Sequence, residues 1–147
     1  MNALMLLKPK SEVEYLVDTC TLRQGLEKIR AHHYTAIPVI SKEGKYIGTV
    51  SEGDFLWHII EHEDEINSVR KCEKYRISEI MKMGRNPAVN VGVSMEELVE
   101  RAENQNFIPV VDDRGYFIGI ITRKAVINAF CDTENVRYIE RVGVICT

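Results

Sequence analysis

Three short runs in this chain carry groups spaced for chemistry. Ser51-Glu52-Gly53-Asp54 puts a hydroxyl and a carboxylate three positions apart, after a β-branched run and ahead of an apolar helical one. A helix start exposes unpaired amide hydrogens and the positive end of its dipole, so Ser51 stands where a phosphate binds well. The same spacing is also how helices cap themselves, and Thr21-x-x-Gln24 and Ser94-x-x-Glu97 repeat it. Thr122-Arg123-Lys124 opens another predicted helix with a hydroxyl and two cations, which suit a phosphate or serve as solvated surface charges. His58-Ile59-Ile60-Glu61-His62 matches H-x-x-E-H, a zinc-peptidase pattern in which two histidines hold metal and the glutamate activates water. It falls on the acidic end of a helix and lacks a further ligand, so no metal is expected. There is no G-x-S-x-G, P-loop or dinucleotide fingerprint, and no catalytic residue is assigned.

At 147 residues the chain holds one ordinary domain or two very small ones sharing a core. Hydrophobic residues at 45% and charged ones at 28% are globular composition, and a net charge of −3 argues against general binding to nucleic acid or a membrane surface. The apolar start, Met1 to Leu7, is short and runs into Lys8-Pro9-Lys10, so neither a signal peptide nor a membrane span is expected. Cys20, Cys72, Cys131 and Cys146 show no C-x-x-C pairing. They read as reduced cytoplasmic thiols, with Cys20 buried.

The elements that must position these groups come in two similar sets. In the first, residues 12–17 read as a strand, and Thr21 opens a helix carrying Leu22, Leu26, Ile29 and His33 on one face. Residues 36–40 and 46–50 form a hairpin around Gly44, with Pro38 restricting its strand to an edge or an end. The helix after Ser51 carries Phe55, and a charged linker is placed at 67–76. In the second set, residues 77–81 read as one helical turn, 88–91 as a strand, and Ser94 opens a helix bearing Met95, Leu98, Val99 and Ala102. Residues 106–111 and 116–121 form a hairpin around Gly115, and a helix runs from Thr122 to about Phe130. Pro38 and Pro109, Gly44 and Gly115, Gly48 and Gly119, and Ser51 and Thr122 are each 71 positions apart, while the first helices match at an offset of 73. Such a repeat means one structural unit used twice, and units this small should pack face to face about a pseudo-twofold axis. The expected division is 1–66 for the first repeat with its N-terminal strand, 67–76 for the linker, 77–131 for the second repeat and 132–147 for a tail. That tail has enough apolar residues, Val136, Tyr138, Ile139, Val142, Val144 and Ile145, for a strand or a partner contact.

The order of helix, h-P-V strand, glycine-bearing turn, h-G-h strand and S/T-x-x-D helix start resembles the CBS domain, the cystathionine-β-synthase-type module, over residues 22–54 and 95–125. The pair resembles a Bateman module. The resemblance implies an α/β (α+β) fold of two β-α-β-β-α repeats packed about a pseudo-twofold axis, with adenosine-containing ligands bound in clefts between them. Carried over, Asp54 would accept hydrogen bonds from the ribose 2′- and 3′-hydroxyls and Ser51 would face phosphate. Thr35-Ala36-Ile37-Pro38 would form the adenine wall, with Val13 opposite. Ala125 stands where the second copy should carry its acid, which leaves one ribose site intact. Thr122, Arg123 and Lys124 would reach across the pseudo-dyad to the phosphates.

The implied function is a non-enzymatic, cytoplasmic sensor module that binds AMP, ADP or ATP. The chain is also similar to small stand-alone bacterial CBS proteins that bind cyclic di-AMP, which makes that ligand the alternative. A ligand-free interaction scaffold, with Asp54 a mere cap, and a hydrolase on His58, Glu61 and His62 stay open beside it. Members of the family pair as antiparallel dimers, for which Trp57, Ile60, Ile127 and Phe130 are candidates. The protein target is not readable, and no nucleic-acid or membrane partner is expected. Asp54→Ala should leave the fold intact and weaken a ribose-bearing nucleotide by roughly 1.5–3 kcal/mol. Gly25 should weaken its helix by about 1 kcal/mol relative to alanine.

Overall fold

A computed structural model of the chain describes residues 2–62 and 71–131, without the side chains of 71 and 72. The expectations for the start of the linker, for Cys72 and Cys146 and for the tail at 132–147 lie outside the described residues. Two hairpins dominate the rest. β3 (Ala36–Ile40) pairs antiparallel with β4 (Tyr46–Ser51). β6 (Phe107–Val111) pairs in the same way with β7 (Phe117–Thr122). Each hairpin has an irregularity after its valine–glycine pair, at Val39/Ile40 and at Val110/Val111. Gly44 (φ +96°) and Gly115 (φ +86°) adopt the left-handed conformation that closes the two turns and that only glycine takes without strain.

The turns also hold the halves together. The Tyr46 amide donates to the Gly115 carbonyl (3.2 Å) and the Phe117 amide to the Gly44 carbonyl (2.9 Å). Both partners of each bond are 71 positions from their counterparts in the other, so the exchange is what a pseudo-twofold axis between the turns produces.

β2 (Leu16–Val17) and β5 (Val89–Asn90) add parallel strands beside β3 and β6. β2 is shorter than the strand expected at 12–17, because Lys10–Glu12 form a 3₁₀ turn. The prolines, expected to confine their strands to an edge or an end, sit in central strands. Such a strand tolerates them because β2 reaches only Val39 and Ile40, and β5 only Val110 and Val111, so no neighbour needs an amide hydrogen at Pro38 or Pro109.

Helices cover the sheets. α1 (Leu22–His32) opens on a Thr21/Gln24 capping box and ends at His33 in the left-handed region. α2 (Glu52–Glu61) follows β4, α3 is the single turn Ile77–Ile80, α4 is Met95–Asn104 with Ser94 as its cap, and α5 covers 123–131. Leu22, Ile37, Val39, Val50, Phe55 and Ile77 form one core, and Leu98, Ile108, Val110, Ile121 and Val126 the other. Gly25 has a packing reason that its helix propensity does not show: a Cβ there would lie 2.6 Å from Ile77 Cδ1 and 3.1 Å from the Phe55 ring. Cys20 is half-buried rather than buried, and that environment pushes its thiol up to about 11.

The leading segments are exchanged between repeats. β1 (Lys8–Pro9) pairs antiparallel with β7, Lys8 opposite Ile120 and Pro9 opposite Gly119, and Ala3 is buried in the second core. In return, Ile77 and Ile80 of α3 complete the first core. The sheets are therefore β2-β3-β4 and β1-β7-β6-β5: β2, within the strand expected at 12–17, lies in the first repeat's sheet, and β1 lies in the second's.

Candidate functional site

The exchange builds two clefts, each from the chain entering one hairpin and the helix start leaving the other. The first is a cavity of about 310 Å³, at the lower end of the range for small-molecule sites. Val13, Thr35, Ala36 and Pro38 of the first repeat line it together with Asn106, Phe107, Ile120 and Thr122 of the second, and Lys8, Glu14, His33 and Tyr34 complete it. His33 ends α1 in the left-handed conformation and so turns the chain into β3. The Thr35 carbonyl then accepts from the Glu52 amide (2.9 Å), as the Asn106 carbonyl does from the Arg123 amide (2.9 Å). Thr122 Oγ1 accepts from the Ala125 amide (3.1 Å), capping α5. Glu14 is held by Lys28 (3.2 Å) and lies 3.8 Å from His32, which leaves Lys8 as the lysine among the lining residues. The slot is largely apolar, with the Thr35 and Thr122 hydroxyls, Lys8 and Glu14 around it.

The second cleft contains Ser51 and Asp54, and it is filled by the chain itself. Asp54 Oδ2 accepts from the Ser51 amide (2.9 Å), while Ser51 Oγ accepts from the Asp54 amide (3.3 Å): a capping box. Arg85 Nη1 then donates both to Ser51 Oγ (2.9 Å) and to Asp54 Oδ2. The Asp54 side chain is only 2% exposed, that of Arg85 28%. Gly84 (φ +85°) and Asn86 (φ 49°) shape the loop that carries Arg85. The Tyr46 hydroxyl, pushed up to about 12 by burial and so protonated throughout the physiological range, donates to the Asn86 carbonyl (2.7 Å) and pairs with Thr49 (2.7 Å). Outside this plug lies a cavity of about 500 Å³ bounded by residues 84–87, Glu100, Arg101, Asn104 and Gln105. Asn104 and Gln105 are 71 positions from His33 and Tyr34 of the first cleft.

The expected site residues therefore divide. Val13, Thr35, Ala36, Pro38 and Thr122 meet in one cavity, whereas Ser51 and Asp54 sit in the other cleft beneath Arg85. Both hairpin entries, Thr35–Ala36 and Asn106–Phe107, line the first cavity with the helix start at Thr122, while the helix start at Ser51 meets the loop that carries Arg85. Ile37 is wholly buried in the first core and offers the cavity no side chain. Arg123 does not reach toward Asp54: its Nε donates to the Ala102 carbonyl near the end of α4 (2.7 Å), beside an apolar groove formed with Val99, Val126, Ile127 and Phe130. Lys124 is exposed. His58 and His62 stack with ring centroids 4.1 Å apart, and Tyr75 meets His58 edge-on at 4.5 Å. Among the described residues no three His, Cys, Asp or Glu side chains gather as a metal site. Asn106 and Phe107 were open to inference by moving Thr35 and Ala36 along by 71. Arg85 gave no such signal, since Gly84-Arg85-Asn86-Pro87 reads only as a loop.

A sequence profile of the CBS domain matches residues 7–61 and 77–132. Among solved structures, the chain is similar to CbpB in complex with c-di-AMP, at 24% identity and a TM-score of 0.82 over 95% of this chain and 91% of that one. A CBS domain protein from Streptococcus pneumoniae TIGR4 is 26% identical with a TM-score of 0.78, over 89% and 87% of the two chains. CBSX2, an Arabidopsis thaliana CBS-pair protein, was solved in complex with AMP and is 21% identical with a TM-score of 0.72, over 90% and 98%.

Proposed function

The chain belongs to the CBS-domain family, and from its two copies we propose a non-enzymatic regulatory module that binds an adenine nucleotide in the cavity between Thr35 and Thr122. The observation that carries this is the cavity itself, an apolar slot contributed by both repeats, with Thr35, Thr122 and Lys8 among its polar groups. In this reading Val13, Ala36, Pro38 and Phe107 hold the base. The threonine hydroxyls and Lys8 take the sugar and phosphate. AMP in CBSX2 and c-di-AMP in CbpB support the ligand class.

A second reading follows from Ala125. The helix start at this cavity lacks the acid that would accept two ribose hydroxyls, and a cyclic dinucleotide, with its 3′-hydroxyl esterified, has less need of one. Cyclic di-AMP is therefore the alternative to AMP, ADP or ATP. Binding acts on a protein target by favouring one arrangement of the repeats, or of a homodimer, over another. Trp57 (59% exposed), Ile60, Ile127 and Phe130 present apolar surface for that dimer. We place the protein in the cytoplasm, and no helix among the described residues is long and apolar enough to cross a membrane.

Thermal unfolding with AMP, ADP, ATP and cyclic di-AMP tests the proposal. A true ligand at one hundred times its dissociation constant stabilises by about 2.7 kcal/mol. Ala36→Phe, which fills the slot, should abolish that gain while leaving the circular dichroism unchanged. Equal stabilisation of the variant would move the site elsewhere, and no stabilisation of the wild type by any of the four would end the reading.

A further inference from the structure

The carboxylate that the family resemblance assigns to ribose is already in use. Asp54 Oδ2 holds the Ser51 amide and the Arg85 guanidinium, and Ser51 Oγ holds the same Arg85 Nη1. We propose that Arg85 is an internal occupant of this cleft, so that each chain takes one nucleotide, in the Thr35–Thr122 cavity, and the Asp54 cleft opens only when Arg85 is displaced. The inference rests on the nucleotide reading for the first cavity and adds which cleft is available.

Three observations carry it. A ribose presents neutral hydroxyls, whereas the guanidinium makes a charge-assisted bond of about twice the strength, to a carboxylate that is almost wholly out of solvent. A sugar cannot reach Asp54 unless the arginine leaves. Second, the arginine is delivered by a loop held on its far side, where the Asn86 carbonyl accepts from the Tyr46 hydroxyl (2.7 Å). It is not a side chain that has wandered in. Third, the helix-start acid and the arginine occur together in one cleft, and neither is matched in the other. Leu16 and Val89 hold equivalent places in their sheets, 73 positions apart, which makes exposed Glu12 the counterpart of Arg85. Ala125 is the counterpart of Asp54. The cleft whose helix start lacks a carboxylate has no plug, and the cleft whose helix start carries one is stoppered.

Displacement would run through the cavity outside Arg85, which Arg101 and Glu100 also line, and would need an anionic group that competes with Glu97 for Arg101 (3.3 Å). The arginine would then exchange Asp54 for the incoming charge.

The test is isothermal titration of the full chain with AMP. Wild type should bind one equivalent per chain, Arg85→Ala two, and Arg85→Ala combined with Asp54→Asn one again. If the alanine variant does not fold, Arg85→Gln keeps a neutral donor of similar reach, and a second, weaker equivalent is expected. Two equivalents in wild type, or one in both single variants, would overturn the plug and leave the nucleotide reading standing. A tenfold or greater loss of the existing site in Arg85→Ala would also overturn it, making Arg85 a ligand contact. No binding to wild type with one equivalent in Arg85→Ala would instead remove the Thr35–Thr122 reading and keep the plug. No binding of AMP to any of the proteins would overturn the plug and remove AMP as the ligand of the Thr35–Thr122 cavity.

Discussion

Asp54 is asked to cap a helix and to grip a sugar, and in the described structure its second partner is Arg85. Removing the carboxylate takes away half of a capping box and leaves a guanidinium without its counter-ion. Breaking a buried pair costs roughly 3–5 kcal/mol, and Arg85 keeps some contact with water, so Asp54→Ala should destabilise by about 3 kcal/mol. The variant is still expected to fold, with its stability lowered by that amount. A fall in urea midpoint at constant slope would show it, and a change below about 1 kcal/mol would mean that Arg85 contributes little to the native state. Sequence made Ser51 and Asp54 conspicuous because local spacing encodes a cap. The partner that turns the cap into a stopper is 31 residues away from Asp54, and nothing local announces it.

Glycine positions show how elements meet. Gly119 on β7 lies under β1, and a Cβ there would come within 2.2 Å of the Lys8 carbonyl oxygen, a backbone atom that cannot yield without breaking the β1–β7 pairing. Its repeat partner Gly48 faces the flexible Met81 side chain at 3.2 Å. Gly119→Ala should therefore cost about 1–3 kcal/mol, in the range for overpacking, and detach the N-terminal segment, with faster hydrogen exchange at Lys8 and Ile120. Gly48→Ala should cost less than 1 kcal/mol, because methionine repacks readily. Equal costs for the two would contradict the exchanged-segment architecture. The hairpins and helices were legible from periodicity, turn glycines and caps, all of them short-range signals. The two-residue strands β1, β2 and β5 were less so, because a pair that short has almost no pattern of its own and forms only where a neighbouring strand receives it.

The whole chain is a pair of half-domains that cannot close their cores separately, since α3 completes the first and the N-terminal segment the second. The exposed faces of α2 and α5 remain beyond those cores. If they carry the proposed dimer, light scattering of the wild type should report about twice the 16.9 kDa chain mass, and Trp57→Glu with Phe130→Glu should return it to monomer. A monomeric wild type at micromolar concentration would remove the dimer. The repeat, the fold class and the residue types at the clefts could be read along the chain, because a duplicated unit keeps its glycines, prolines and caps in step by 71 positions. How those residues are shared between clefts could not. Thr35 meets Thr122 across the first cavity and Asp54 meets Arg85 of the second repeat's loop, and such contacts exist only once the two halves have come together.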